Sequence, residues 1–166
     1  MTPPLKPSEV YLEWVKYSSW YSAAHRKDFF EMAYLISGLA GEAGEASDEW
    51  KKIQRSVDFG NPVTLGVTFN QSINDRLVKL MDEVGDVLWY VAAICNMMNI
   101  TFDDLMLFNM AKLHQKHGSN TKMPAWPLNK DFFDPNDVRY FVFMKASDAM
   151  INPNTLNGET YRADSK

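Results

Sequence analysis

The apolar residues of this chain recur mostly at intervals of three and four, which is the spacing of one helix face. A first segment predicts a helix that Ser8 caps and that runs to about Ser22. A second predicts a long helix from Asp28 to about Val57. Its apolar stripe consists of Met32, Ile36, Leu39, Ala43, Ala46, Trp50 and Ile53.

Two further helices are predicted after residue 70. The first runs from about Ile73 to Met98, where Asn99 ends it. Its stripe consists of Leu77, Leu80, Val84, Val87, Val91, Ile94 and Met98. The segment Thr101–Asp104 is a capping box with Asp in place of Glu, and it starts a helix from Phe102 to His117. Four amphipathic helices of this kind predict an all-α fold of the four-helix bundle type.

Two segments break the helical pattern. Between Asn61 and Asn74 apolar and polar residues alternate, which predicts a short β-hairpin or extended arm. Beyond Gly118 several prolines interrupt the chain, and in 138–150 periodicity does not decide between helix and strand. We therefore expect a helical domain over residues 1–118 with an insert at 58–73. A C-terminal extension, 119–166, is expected to pack on the core or on a partner subunit and to end in disorder.

Composition narrows the class of protein. With 166 residues, 46% of them hydrophobic and 23% charged, the chain has the size and composition of one globular domain. The net charge of -4 argues against binding to a nucleic-acid polymer. The single cysteine, Cys95, lies in an apolar run and is expected to be a core thiol. Because no signal peptide or membrane-spanning run is evident, we expect a cytoplasmic protein without membrane contact.

Candidate chemistry lies in two pairs of acids on the second and third helices. Glu42 and Glu45 form one pair, and Glu83 and Asp86 form the other. Residues three apart share a helix face, and Glu49 extends the first pair by one turn. Such pairs are most often solvated surface, but these flank the apolar stripes and lack basic residues at i+4. Facing helices would bring the acids together, and a bound cation would supply the missing positive charge.

The type of cation follows from the ligands. No histidine follows a candidate glutamate by three residues, so an iron or zinc site is poorly supported. Carboxylate oxygens favour Mg²⁺, with Mn²⁺ as a substitute, and Mg²⁺ keeps positions open for water and phosphates. Gly41 and Gly44 are costly inside a helix, so we expect another helix or a phosphate to approach them closely.

Three motifs resemble a known family, the MazG-like all-α nucleoside triphosphate pyrophosphohydrolases. They are Gly-Leu-Ala-Gly-Glu-Ala-Gly-Glu at 38–45, Asp-Glu-Val-Gly-Asp-Val-Leu-Trp-Tyr at 82–90 and Asn-Met-Ala-Lys-Leu at 109–113. The resemblance covers roughly residues 33–116. It implies cleavage of a nucleoside triphosphate, often a deoxynucleotide, to the monophosphate and pyrophosphate. It also implies assembly as a dimer or tetramer.

The resemblance assigns roles to individual residues. Glu42, Glu45, Glu83 and Asp86 would hold Mg²⁺, while Asn109 and Lys112 would contact the triphosphate. Lys112 would offset charge on the departing pyrophosphate. Glu45 or Glu49 is the expected general base. Gly41 stands where the family signature has its first glutamate.

Several questions stay open at the level of sequence. Trp20 and His25 are candidates for contact with the nucleotide base, and Tyr21, Trp50 and the tail aromatics are alternatives. Two other functions are compatible with the same residues. One is a catalytically inactive metal-binding bundle with a regulatory or binding role, which the missing glutamate at Gly41 favours. The other is an enzyme like phosphoribosyl-ATP pyrophosphatase.

Overall fold

The computed structural model describes residues 6–56, 71–117 and 135–151, and these residues form five α-helices and no strand. The all-α class predicted from the sequence is confirmed. The helices are α1 (Pro7–Ser18), α2 (Phe29–Ser56), α3 (Gln71–Met97), α4 (Phe102–His117) and α5 (Pro135–Ile151).

The helix ends agree with the local signals at three of the predicted positions. Asp28 caps α2, because its Oδ1 accepts a hydrogen bond from the backbone N of Glu31 at 3.0 Å. Thr101 and Asp104 exchange reciprocal hydrogen bonds of 2.8 and 3.0 Å and start α4 as a capping box. Asn99 adopts a left-handed conformation with φ 52° after α3. Backbone hydrogen bonds from Asn99 to Asn96 and from Ile100 to Cys95 complete a Schellman motif there.

Two predicted boundaries are wrong. The first helix begins at Pro7, not after a Ser8 cap, and the Glu9 carboxylate accepts the backbone N–H of Lys6. It ends at Ser18, because the hydroxyls of Ser18 and Ser19 bond to the Val15 carbonyl and compete with the helical backbone. Of the predicted hairpin, residues 71–74 are helical. The rest of that prediction lies outside the described residues.

The helices pack around a core at one end of the α2–α3 pair. Helix α2 lies along α3, α1 packs on α3 and more lightly on α4, and α5 packs on α4. Ten buried residues form the main core: Leu12, Val15, Leu35, Ala92, Ala93, Cys95, Met97, Ile100, Val142 and Ala146. The last third of α3 is therefore enclosed, while the middle of α3 and the middle of α2 lie near the surface.

Helix α5 settles the segment that periodicity left open. Val142 and Ala146 contribute to the main core, and Val138 packs against Ala111 of α4. Lys145 adds an ion pair to Asp104 at 2.6 Å near the start of α4. Within the C-terminal extension, helix α5 therefore lies on the helical core of its own chain.

The predicted apolar stripes of α2 and α3 are only partly buried. Ile36, Trp50 and Val84 lie on the predicted stripes yet are exposed, whereas Leu35, which the α2 stripe omits, is fully buried. Cys95 is buried as expected, and burial raises the pKa of its thiol to about 11. No single described helix is long and apolar enough to cross a membrane. Only residues 73–97 and 102–117 taken as a pair have that length and composition, with a bend of 98° between them.

Candidate metal site between two helices

Three predicted metal ligands come together between α2 and α3. Glu42 and Glu45 on α2 and Glu83 on α3 each offer a carboxylate oxygen within 4.8 Å of the others. Glu42 and Glu83 are half-buried, and Glu45 is exposed. We refer to these three residues as the acidic cluster. An all-oxygen set at this spacing fits a hard divalent cation such as Mg²⁺ or Mn²⁺.

The cluster arises because the two helices run antiparallel in a constant register. A Cβ atom at Gly38 would meet the ring of Tyr90, Glu45 lies near Glu83, and Glu49 lies near Arg76. Residue numbers thus rise along α2 as they fall along α3. Each acid pair is spaced by one turn, so both project into the same groove.

Burial and neighbouring negative charges together raise the pKa of two carboxyl groups in the acidic cluster. Burial, followed by the charges of Glu45, Asp86 and Glu83, raises the pKa of Glu42. Burial, followed by Glu45 and Asp86 among its neighbours, also raises the pKa of Glu83. Asp86 therefore acts on both carboxylates, although its oxygens fall outside the 4.8 Å group. A divalent cation would relieve this repulsion.

Glu49 lies one turn beyond the acidic cluster and contacts two cations. Lys52 Nζ donates a hydrogen bond to Glu49 Oε1, and Arg76 Nη1 lies 3.7 Å from Glu49 Oε2. Glu49 is also one of the charges that raise the pKa of Glu83, which places it beside the cluster. The sequence analysis did not single out Lys52 or Arg76. The available signal was their spacing, because Lys52 follows Glu49 by three residues and Arg76 precedes Glu83 by seven.

The other end of the groove is aromatic. A Cβ atom at Gly38 would lie 2.2 Å from ring atoms of Tyr90, so Gly38 lets this ring lie against α2. Tyr34 lies beside Tyr90 and is among the causes that raise its pKa, and the Tyr34 ring stacks on the Tyr21 ring with 4.5 Å between their centroids. Glu42 and Asp86 are among the charges that raise the pKa of Tyr90, after burial and Tyr34. This aromatic row therefore reaches the acidic cluster.

The glycines expected to permit close contact are not the ones that do so. Added Cβ atoms at Gly41 and Gly44 would meet no described atom within 4 Å. No described helix of the same chain therefore approaches these two positions closely, and the approach of a phosphate or of another copy stays a prediction. Gly38 has that role, because it faces a large ring across the helix pair.

A buried acid orders the loop between α1 and α2. Glu31 accepts hydrogen bonds from the Tyr21 hydroxyl at 2.7 Å and from the backbone N of His25 and Lys27 at 3.0 and 2.6 Å. His25 and Lys27 both adopt left-handed conformations. Trp20, at the start of this loop, is 90% exposed. The structure thus leaves Trp20 accessible but does not bring it or His25 into the acidic cluster.

The two predicted triphosphate contacts lie elsewhere. Asn109 and Lys112 are exposed on α4, which packs mainly on α5. The described contacts of α4 within one chain do not bring them into the groove between α2 and α3.

Comparison with known proteins decides the family. The family model of the MazG nucleotide pyrophosphohydrolase domain matches residues 30–120, which is more than half of the chain. The chain belongs to the MazG nucleotide pyrophosphohydrolase family. The matched MazG domain contains α2, α3 and α4, and with them the acidic cluster, Glu49 and Arg76. Helix α1 and helix α5 lie outside it.

A relative from a bacteriophage is also similar. The chain is 34% identical over 85 residues to the Gene 37 protein of Mycobacterium phage L5. The alignment covers 51% of this chain and 65% of the phage protein, whose name does not state an activity. No solved structure matches the chain significantly.

Proposed function

We propose that the protein is a Mg²⁺-dependent pyrophosphohydrolase that cleaves a nucleoside or deoxynucleoside triphosphate to the monophosphate and pyrophosphate. One observation carries the proposal. Within a MazG domain, Glu42, Glu45 and Glu83 converge from facing helices, and their mutual repulsion calls for a cation. Mn²⁺ would substitute for Mg²⁺, because both prefer oxygen ligands.

The acidic cluster would hold the metal, with Asp86 at its edge as the fourth acidic residue. When bound, Mg²⁺ would neutralise phosphate charge and lower the pKa of a coordinated water. Glu45 or Glu49 would take the proton from the attacking water. The new bond forms between this oxygen and phosphorus, and a phosphoanhydride bond breaks to release pyrophosphate. Because Glu49 already contacts Lys52 and Arg76, Glu45 is the better placed of the two bases.

The substrate-binding residues remain proposals. The exposed indole of Trp20 offers a surface for stacking on a base, and His25 lies in the same loop. Asn109 and Lys112 would have to reach the triphosphate from α4. A second copy of the chain is one way to supply them. A cytoplasmic location, with access to the nucleotide pool, also remains a prediction.

We propose a homodimer or homotetramer in which the open faces of α2 and α3 are covered by another copy. These two helices expose several large apolar side chains at their surface. They include Ile36, Trp50, Val78, Met81, Val84 and Leu88. A row of exposed apolar side chains along two adjacent helices is typical of an interaction surface, and a two-fold axis would let the surface cover itself.

A nucleotide panel tests the proposed activity. The purified protein is incubated with Mg²⁺ and each common ribo- and deoxyribonucleoside triphosphate, and the products are separated by chromatography. We expect a monophosphate and pyrophosphate in equal amounts from at least one substrate, and no turnover with a chelator present. Diphosphate and inorganic phosphate as the products would contradict the proposal.

A catalytically inactive binding module is the second candidate, and Gly41 is the residue that favours it. It predicts metal binding without turnover of any nucleotide. An enzyme like phosphoribosyl-ATP pyrophosphatase is the third. Including phosphoribosyl-ATP in the panel separates it from the other two.

A further inference from the structure

Beyond the acidic cluster, the groove between α2 and α3 has a basic end and an aromatic end. On α3, Arg76 lies seven residues before Glu83, and Tyr90 lies seven residues after it. Two helical turns separate neighbours in this series, so all three share one face at intervals of about 10 Å. The order along the groove is guanidinium, carboxylates and aromatic ring. A nucleoside triphosphate has the matching order of terminal phosphate, metal-bound phosphates and nucleoside.

Arg76 uses little of its hydrogen-bonding capacity on the residues that the structure describes. Its guanidinium approaches Glu49 Oε2 at 3.7 Å, which is too long for a hydrogen bond. Arg76 Nε and Glu49 Oε2 are both enclosed, and neither has a hydrogen-bond partner among the described residues. Such atoms are costly to leave unpaired, and a guanidinium carries five donors suited to two phosphate oxygens. Within the described part of the chain, Arg76 therefore forms an ion pair with Glu49 and keeps N–H donors that can bind an anion.

The neighbouring cation is different. Lys52 contacts two acids, Glu49 and Asp48, the latter at 2.9 Å, so its charge is already balanced. Among the described residues, Arg76 has one carboxylate within ion-pair range, that of Glu49 at 3.7 Å, and its side chain is 35% exposed. Of the two cations beside Glu49, Arg76 is thus the one equipped to accept an anion.

We propose that Arg76 binds the terminal phosphate of the substrate, and hence the departing pyrophosphate, with the nucleoside oriented toward Tyr90. The inference rests on the proposed function, because it assumes a polyphosphate held at the acidic cluster. It adds an anchoring residue and the direction in which the substrate lies.

Binding experiments test this assignment without requiring turnover. Calorimetry with Mg²⁺ measures the affinity of inorganic pyrophosphate and, separately, of the nucleoside monophosphates. The variants are Arg76→Gln, Arg76→Lys and a matched control, Lys79→Gln, which removes an exposed cation from the next turn of α3. Circular dichroism checks that each variant is folded.

We expect Arg76→Gln to weaken pyrophosphate binding by about ten- to hundredfold, the range for a hydrogen bond to a charged group. Arg76→Lys keeps the positive charge but loses the planar guanidinium and the reach of the longer side chain. Its affinity for pyrophosphate should therefore lie between those of the wild type and Arg76→Gln. Lys79→Gln should stay near wild type, and monophosphate binding should be unchanged in all variants.

Three results would overturn the assignment. They are a wild-type protein that binds no pyrophosphate, an Arg76→Gln variant that binds it normally, and an equal loss of pyrophosphate and monophosphate binding. If Arg76→Gln does not fold, the test uses Arg76→Lys instead. An Arg76→Lys variant that binds pyrophosphate as tightly as the wild type would contradict the assignment. The expected binding pattern in a protein that hydrolyses no nucleotide would support this site and refute only the proposed reaction.

Discussion

Replacing Gly38 by alanine is predicted to displace Tyr90 from the groove. The added Cβ atom would lie 2.2 Å from two ring carbons of Tyr90 and 2.5 Å from its hydroxyl oxygen. Carbon atoms in contact normally stand about 3.5 to 4.0 Å apart, so the ring must move by more than about 1 Å. That movement would change how Tyr90 packs beside Tyr34 and withdraw its hydroxyl from the neighbourhood of Glu42 and Asp86.

The magnitude comes from two opposing contributions. Alanine in place of glycine inside a helix stabilises by about 1 kcal/mol. Overpacking against a ring costs about 1 to 3 kcal/mol. For Gly38→Ala we therefore expect a net change in unfolding free energy between about zero and a loss of 2 kcal/mol. Gly44→Ala meets nothing within 4 Å and is expected to gain about 0.5 to 1 kcal/mol.

Denaturant unfolding followed by circular dichroism measures the unfolding free energy of Gly38→Ala and of Gly44→Ala. All variants are compared at the same concentration of chains. Tyrosine fluorescence would report the displaced ring in Gly38→Ala, and turnover of the preferred nucleotide should fall in the same variant. The reasoning is refuted if Gly38→Ala is stabilised as much as Gly44→Ala, because the close contact with Tyr90 would then carry no cost.

Two further predictions concern charge and assembly. The pKa of Glu42 and of Glu83 is raised in the folded protein, so the folded state keeps protons at a pH where the unfolded chain has released them. The two carboxyl groups therefore contribute less to the stability of the metal-free protein as the pH rises through the carboxyl range. Glu42→Gln should therefore raise the melting temperature in chelator at pH 7 but not near pH 3, and should reduce the stabilisation by Mg²⁺; a lower melting temperature at pH 7 would contradict this. Val84→Glu on the exposed face of α3 should lower the oligomeric state in analytical ultracentrifugation, while Lys79→Gln should not; an unchanged oligomer in Val84→Glu would place the interface elsewhere.

Local signals predicted the start of α2, the end of α3 and the start of α4, but not the two ends of α1. Asp28, Thr101 with Asp104, and Asn99 each act within one turn of the backbone, so their roles follow from the sequence around them. The acidic cluster was predictable for a related reason. The three-residue spacing of the acids places Glu42 with Glu45, and Glu83 with Asp86, on one face of their helices. Only the packing of α2 against α3 had to be assumed.

Features that depend on partners distant in the chain were not predictable in the same way. Periodicity identified apolar stripes but could not say which side of α2 meets α3, so Leu35 is buried while Ile36 is exposed. The role of Gly38 depends on a ring 52 residues away, and that of Arg76 on Glu49 across the groove. The run Tyr140–Phe143 has no clear period because α5 buries Val142 while both neighbours are exposed.

The most direct test of the account compares Glu83→Gln with Asp82→Asn in Mg²⁺-dependent turnover. Glu83 belongs to the acidic cluster, whereas its neighbour Asp82 is exposed and lies outside it. Each substitution removes one negative charge from the same turn of α3. Glu83→Gln is predicted to lose at least about a hundredfold in turnover with unchanged helical content, and Asp82→Asn is predicted to remain active. Mg²⁺-dependent turnover retained by Glu83→Gln would contradict the central claim.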